Sequence, residues 1–264
     1  MSVFKYMLAL GFLLTSFRQA EDPCDALRNH TTQNGEQIYF NVYYTVAGVY
    51  VNAGSASFIN NLETLNGRPV YHVTGAGGSR PSYDWIYKVK DVYETFIDTA
   101  TMKTLKFLRN VSEGSTKIYE NVAFNRSANT AVTQKGVYKV PACVQDVLSS
   151  IYQVRNIDFS KYKVNDKIPF TMFLDNQVYD MYVRLLGRED ISTKFGTFHT
   201  IKFKPLLVEG TIFKGGEQMT VWVSDDANHI PVRIESPIIV GSVKVDMMGY
   251  KNLRYPLTGL IKKK

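Results

Sequence analysis

Cysteine is nearly absent from this 264-residue chain, which holds only Cys24 and Cys143, so a scaffold stapled by several bridges and a four-cysteine metal site are both excluded. Histidine is equally scarce. His30, His72, His199 and His229 stand apart, with no partner at metal-ligand spacing, which argues against zinc chemistry. No apolar run beyond residue 20 is long enough to cross a bilayer as a helix. A nucleophile elbow of the Gly-x-Ser-x-Gly kind is missing as well, and Ser149 and Ser150 read as small residues where a helix meets a sheet. Gly75-Ala-Gly-Gly78 follows a strand, yet Ser79 to Trp85 leads into another strand and not a helix, so a phosphate-binding loop fails in its context. The net charge of +7 is spread along the chain, and the closing Lys262-Lys263-Lys264 reads as a solvated end. No nucleic-acid partner is expected, and no linker rich in Pro, Gly or Ser divides the chain.

At the start, Lys5 and the apolar run Met7 to Leu14 have the form of a secretory signal peptide. Cleavage is placed after Ala20, although Arg18 is an unusual residue two positions before it. Residues 1–20 are then a leader and 21–264 a single mature β-domain. Export gives the two cysteines meaning, because an oxidising compartment invites pairing and Cys24 with Cys143 is the only available bridge. Closing so long a loop would stabilise the fold by about 4 to 5 kcal/mol in the entropic account. Two inert buried thiols remain the alternative. Asn29, Asn110 and Asn125 open glycosylation sequons, a short pattern that arises often by chance.

Alternation of apolar and polar residues dominates the rest of the chain. Ile38, Phe40, Val42, Tyr44 and Val46 alternate with Tyr39, Asn41, Tyr43 and Thr45, and a bend at Ala47-Gly48 precedes Val49 to Val51 and Ser55 to Phe58. Further strands are expected at 68–74, 85–89, 93–98, 103–109, 117–125, 130–140, 168–174, 179–187, 197–204, 218–224, 230–236 and 243–250, with turn residues between them. One helix interrupts the series near 144–154, where Val147, Leu148, Ile151 and Tyr152 follow helical spacing between Pro141 and Asn156. The expected fold is all-β: a large curved antiparallel sheet, a half-barrel or flattened barrel, with that helix packed on it.

Chemistry-bearing residues are sparse. Asp225-Asp-Ala-Asn228 offers oxygen ligands but lacks the glycine and distal glutamate of a calcium loop, so it reads as a hairpin turn. Asp225 or Asp226 is expected to pair with Arg233 across that hairpin. Asp84, Asp91, Glu94 and Asp98 supply carboxylates from which an acid/base pair could be drawn, but nothing selects one. Seventeen tyrosines suit half-buried strands or a stacking surface. Trp222 points opposite to Val221 and Val223, either onto a covered face or into a cavity.

Val147 to Phe159, Gly196-Thr-Phe-His-Thr-Ile201, Val221-Trp-Val-Ser-Asp-Asp226, Ile230-Pro-Val-Arg233, Val240-Gly-Ser-Val243 and the early Val42 to Gly48 together resemble the DUF3108 family of exported bacterial proteins. The resemblance spans nearly all of residues 21–264. It implies a periplasmic protein of Gram-negative bacteria, Bacteroidetes among them, with no assigned catalytic residue, metal or cofactor. The family is similar in architecture to the half-barrels of periplasmic lipoprotein carriers, which hold acyl chains on a concave apolar face. The leading expectation is therefore non-catalytic binding of a lipid or other hydrophobic envelope component. An envelope interaction module for a protein or glycan is the alternative, and an envelope hydrolase the third. The motif residues Trp222, Asp225, Asp226, Pro231, Arg233 and Gly241 are expected to maintain the fold.

Overall fold

Residues that alternate in the sequence pair side by side in space, and the computed structural model describes residues 24, 28–46, 49–85, 87–209, 215–238 and 241–264. The leader, its cleavage point and the bend at Ala47-Gly48 lie outside the described residues. Eight strands form the first meander: β1 (Gln37–Val46), β2 (Val49–Leu65), β3 (Arg68–Ser79), β4 (Lys90–Asp98), β5 (Thr104–Glu113), β6 (Thr116–Asn125), β7 (Thr130–Thr133) and β8 (Gly136–Lys139). A helix, α1 (Val147–Arg155), separates them from β9 (Lys167–Leu174), β10 (Gln177–Ser192), β11 (Gly196–Pro205), β12 (Thr220–Ser224), β13 (Pro231–Pro237), β14 (Ser242–Lys251) and β15 (Leu260–Lys263). All strands join one antiparallel sheet, in which β1 pairs with β14 and so ties the two meanders together.

Strands β8 and β9 end the sheet, which does not close by a ladder. The gap is bridged by the chain leading into α1. Gln145 donates its N–H to the Thr171 carbonyl at 2.9 Å and accepts from Phe173 N–H at 2.8 Å, and Thr133 Oγ1 reaches Asn176 Oδ1 at 2.7 Å. Cys24 and Cys143 are bonded just ahead of this bridge, with Cα atoms 5.3 Å apart.

Four local expectations need correction. The helix begins at Val147 and not Val144, because Asp146 caps it: its Oδ1 accepts from the N–H groups of Leu148 and Ser149, both at 2.8 Å, while Ser149 Oγ accepts from Asp146 N–H. Residue 86 lies outside the described residues, and of 85 and 87–89 only Val89 makes a β contact, a single bridge to Glu113, since Pro81–Tyr83 is a 3-10 turn and Asp84 bonds back to Ser79. The lysine-rich end is exposed as expected but is not a loose tail, for β15 pairs with the first residues of β11. Thr130 to Val140 is moreover a hairpin, turning at Gly136 with a φ of +150°.

Side chains of α1 enter the hollow expected on the concave face. Leu148 and Tyr152 of α1 pack with Val73, Ile97 and Met102, Val154 packs with Phe159, Val183 and Phe203, and Val147 touches the cluster of Phe107, Val122 and Phe173. A fourth cluster joins Ile38, Phe40, Val232 and Met247 across the β1–β14 seam. The helix is thus the middle of the core and not a lid on it. Its last residue, Arg155, is 2 % exposed and forms a two-pronged pair with Glu36, at 2.6 and 2.8 Å.

Antiparallel connectivity sorts the turns onto two ends of the sheet. One end carries Asn66-Gly67, Asn129, His229 and Asn252, each with positive φ, in polar connections. The other carries the links β1–β2, β3–β4, β11–β12 and β13–β14, side by side along the rim because β3, β2, β1, β14, β13, β12 and β11 are successive neighbours.

Candidate cationic groove

Side chains of β1 divide by parity: Ile38 and Phe40 enter the core, so Tyr39, Asn41 and Tyr43 face away from it. Register carries the pattern onto the neighbouring strands. Tyr43 stands opposite Lys244, Asn41 opposite Asp246, Asp246 opposite Arg233, and Arg233 opposite Trp222. On this outer face the turn between β10 and β11 rises beside β13 and β14, fixed by Arg233 Nη2 donating to the Ser192 carbonyl at 3.1 Å. A groove of about 580 Å³ lies between, lined by Tyr43, Tyr50, Ser192, Thr193, Lys194, Arg233, Lys244, Asp246 and Lys264.

The groove's charge is lopsided. Asp246 is the one acid in its lining, and both its carboxylate oxygens are held by Arg233, at 2.6 Å to Nε and 3.0 Å to Nη2. Burial works against the Arg233 guanidinium, but Asp246 outweighs it and holds the group above its ordinary value. The three lysines are different. Lys244 Nζ lies 4.3 Å from the Tyr50 ring centre and 5.5 Å from that of Tyr43, and Lys194 Nζ lies 5.1 Å from Tyr43. Lys264 Nζ donates only to the Thr193 carbonyl, at 3.2 Å. Among the described residues no carboxylate pairs with these ammonium groups. Arg233 is met by Asp246 and, at 3.8 Å, by Glu235, which stands opposite Lys244 in the ladder, and the three lysines outnumber the acids around the groove and leave it positive.

The residues singled out in the sequence take other places. Arg233 pairs with Asp246, not with Asp225 or Asp226, because the ladder sets it beside β14 while the two acids lie in the turn beyond β12. Asp225 binds Arg188 at 2.8 Å. Asp226 braces its turn by accepting from Asn228 N–H, Ser224 Oγ and Gly259 N–H, all at 2.9 Å. Trp222 faces a covered surface, with Nε1 donating to Glu189 at 2.6 Å and Lys202 5.2 Å over its ring. Pro231 opens β13 at a break in register opposite Val223. Gly241 adopts φ +79° and has the Thr45 carbonyl oxygen where a Cβ would stand, so only glycine fits there. Of the six motif residues, Arg233 alone lines the groove.

The four carboxylates are engaged separately. Glu94 binds His72 at 2.7 Å, Asp98 caps the turn after β4 by accepting from Ala100 and Thr101 N–H, and Asp84 accepts from Ser79. Asp91 lies beside Glu113, and burial foremost, opposed by the Ser112 N–H and reinforced by Glu113, pushes its carboxyl up to about 6. Among the described residues no group of three His, Cys, Asp or Glu side chains could hold a metal ion.

Sequence reasoning missed Tyr43, Tyr50, Lys194 and Lys244. The outward parity of Tyr43 and Lys244 is visible within each strand, but their meeting depends on pairing between β1 and β14, at opposite ends of the chain. A family model described as a protein of unknown function, DUF3108, matches residues 39–248. A β-barrel-like protein of the domain of unknown function DUF1849 from Brucella abortus superposes with a TM-score of 0.56 at 8 % identity, covering 84 % of this chain and 99 % of its own. That likeness shows a shared fold. A protein from Bacteroides fragilis, described as exported and of YmcC-like fold, gives 0.33 at 15 % identity, covering 86 % of this chain and 100 % of its own. No curated protein matches the sequence.

Proposed function

This chain belongs to the DUF3108 family, whose description assigns no activity, and from the groove's geometry we propose that it is an exported, non-catalytic binding module for an anionic saccharide. Its mature domain is residues 21–264 and its compartment the periplasm. The leader-like Met7 to Leu14 and the Cys24–Cys143 bond support export into an oxidising space. One observation carries the ligand class: Lys194 and Lys244 lie over Tyr43 and Tyr50 in a groove that Lys264 also lines, beside an Arg233 already engaged by Asp246 and Glu235. Lysines attract phosphate or carboxylate groups, and the open face of Tyr50 suits stacking by a sugar ring. A lipid cargo inside the sheet is disfavoured, because α1 and its neighbours occupy that space.

The test is a calorimetric titration of the purified protein with uronic-acid and phosphate-bearing oligosaccharides, each beside its neutral counterpart. An acidic member should bind, weaken as salt is raised, and bind about tenfold more weakly to Lys244→Ala, the effect of one lost charge-assisted hydrogen bond. If no acidic oligosaccharide binds more tightly than its neutral counterpart, the reading is wrong.

A further inference from the structure

Two acids flank Arg233 beside the groove, and they are used differently. Buried Asp246 gives both carboxylate oxygens to the guanidinium, at 2.6 and 3.0 Å. Glu235 reaches it only at 3.8 Å, beyond hydrogen-bond range, with its side chain 45 % exposed. In the ladder Glu235 stands directly opposite Lys244, with Cβ atoms about 5 Å apart, a position in which opposite charges ordinarily pair. Lys244 does not take that partner. Its ammonium group lies 4.3 Å from the centre of the Tyr50 ring, among the tyrosines. Among the described residues no hydrogen bond reaches the Glu235 carboxylate, whose one contact with a base is the long one to Arg233.

The Glu235 side chain shares the outer face with the groove, because Ile234, between Arg233 and Glu235, packs on the core. Tyr43, Lys244 and Glu235 are then successive neighbours across β1, β14 and β13. Other acceptors at this place are already occupied: the Ser192 carbonyl by Arg233, the Thr193 carbonyl by Lys264, and Asp246 on both oxygens. Glu235 is thus an unspent acceptor at the edge of a groove otherwise rich in donors. A carboxylate accepts and cannot donate, so it holds a hydroxyl by a charge-assisted bond and repels any anion brought beside it. Attraction of anions in general needs no such group, whereas selection among them does.

We infer, resting on the saccharide reading of the groove, that Glu235 is its specificity-determining residue: it accepts from sugar hydroxyls and repels a second anionic group. The ligand is then a saccharide whose single acidic group is held by the lysines while an uncharged, hydroxyl-bearing ring faces Glu235. A densely sulfated or phosphorylated chain is rejected, because it would set an anion against that carboxylate.

The test titrates three probes, at one salt concentration, into the parent protein, Glu235→Ala and Glu235→Gln. The first is a disaccharide of one uronic acid and one neutral sugar, the second has the neutral ring O-methylated, and the third carries a sulfate on that ring. The parent should bind the methylated probe about tenfold more weakly than the first, the effect of one lost charge-assisted hydrogen bond, and should gain nothing from the added sulfate. In Glu235→Ala the loss on methylation should disappear, since the acceptor it depends on is gone. Glu235→Gln keeps an acceptor oxygen without the charge, and should bind the sulfated probe about fivefold more tightly than the parent does. Both variants should melt as the parent does, so that a changed affinity does not report a changed fold. Equal methylation losses in the parent and Glu235→Ala, or a parent that prefers the sulfated probe to the first, overturn the role of Glu235 and leave the groove a saccharide site. Absence of binding by all three probes overturns the saccharide reading itself, and the role of Glu235 with it.

Discussion

Charge is handled in opposite ways by two regions of the molecule, the buried helix and the outer groove. Around α1 every charge has an answer. Arg155 meets both oxygens of Glu36 and the Asn228 carbonyl, and fully buried Asp146 accepts from Thr95, Thr104, Leu148 and Ser149. In the groove Asp246 and Glu235 engage Arg233, and among the described residues no carboxylate pairs with Lys194, Lys244 or Lys264. A buried charge must be compensated or the fold fails, whereas an exposed excess costs little and remains available for a partner. Matched charge therefore marks scaffold here, and surplus charge marks the groove proposed as the site.

The largest break in this contrast should come from Arg155→Met, which strands Glu36 in the core. A loss of about 3 to 5 kcal/mol is expected in urea unfolding, the cost of removing one partner of a buried ion pair, while protein still folded at low temperature keeps its saccharide affinity. Asp146→Ala follows, at about 2 to 3 kcal/mol, because it removes the helix cap and leaves two threonine hydroxyls unpaired. The mirror experiment is Lys194→Ala with Lys244→Ala. Its stability should stay within about 0.5 kcal/mol of the parent, as for exposed substitutions generally, yet the acidic ligand should be lost in the calorimeter.

The smallest effect belongs to Asp91, outside both regions. Its folded value of about 6 exceeds the unfolded carboxylate value of about 4, so the folded state retains a proton that the unfolded chain releases. Stability from this group is complete at low pH and is lost as pH rises from about 4 through about 6. Asp91→Asn, whose amide oxygen can still accept from Ser112 N–H, should thus raise the melting temperature at pH 8 and leave it unchanged at pH 3. An equal shift at both pH values would exclude this titration as the cause.

The fold was legible because alternation is local: Ile38 and Phe40 announce a half-buried strand whatever they pair with. The helix was legible from Leu148 and Tyr152, although its start was not, since Val144 fits the apolar spacing and yet precedes the cap at Asp146. What escaped was long-range. Nothing near Asp225 or Asp226 reveals that Arg233 prefers Asp246, since that choice depends on how β13 and β14 align. Strand count also cannot disclose that α1 packs its side chains onto the face of the sheet where the apolar hollow was inferred. The groove joins Tyr43 to Lys244 across about two hundred residues, and only the β1–β14 ladder brings them together.

Native mass spectrometry with solvent extraction, on protein purified gently at low salt from its own cells, tests most directly whether the outer groove and not the interior receives the ligand. One anionic saccharide per chain is expected, released by high salt and missing from the Lys194→Ala, Lys244→Ala protein. A stoichiometric acyl lipid that survives both high salt and those substitutions would contradict the assignment, for such a ligand would have to sit within the sheet, in place of the packing around α1.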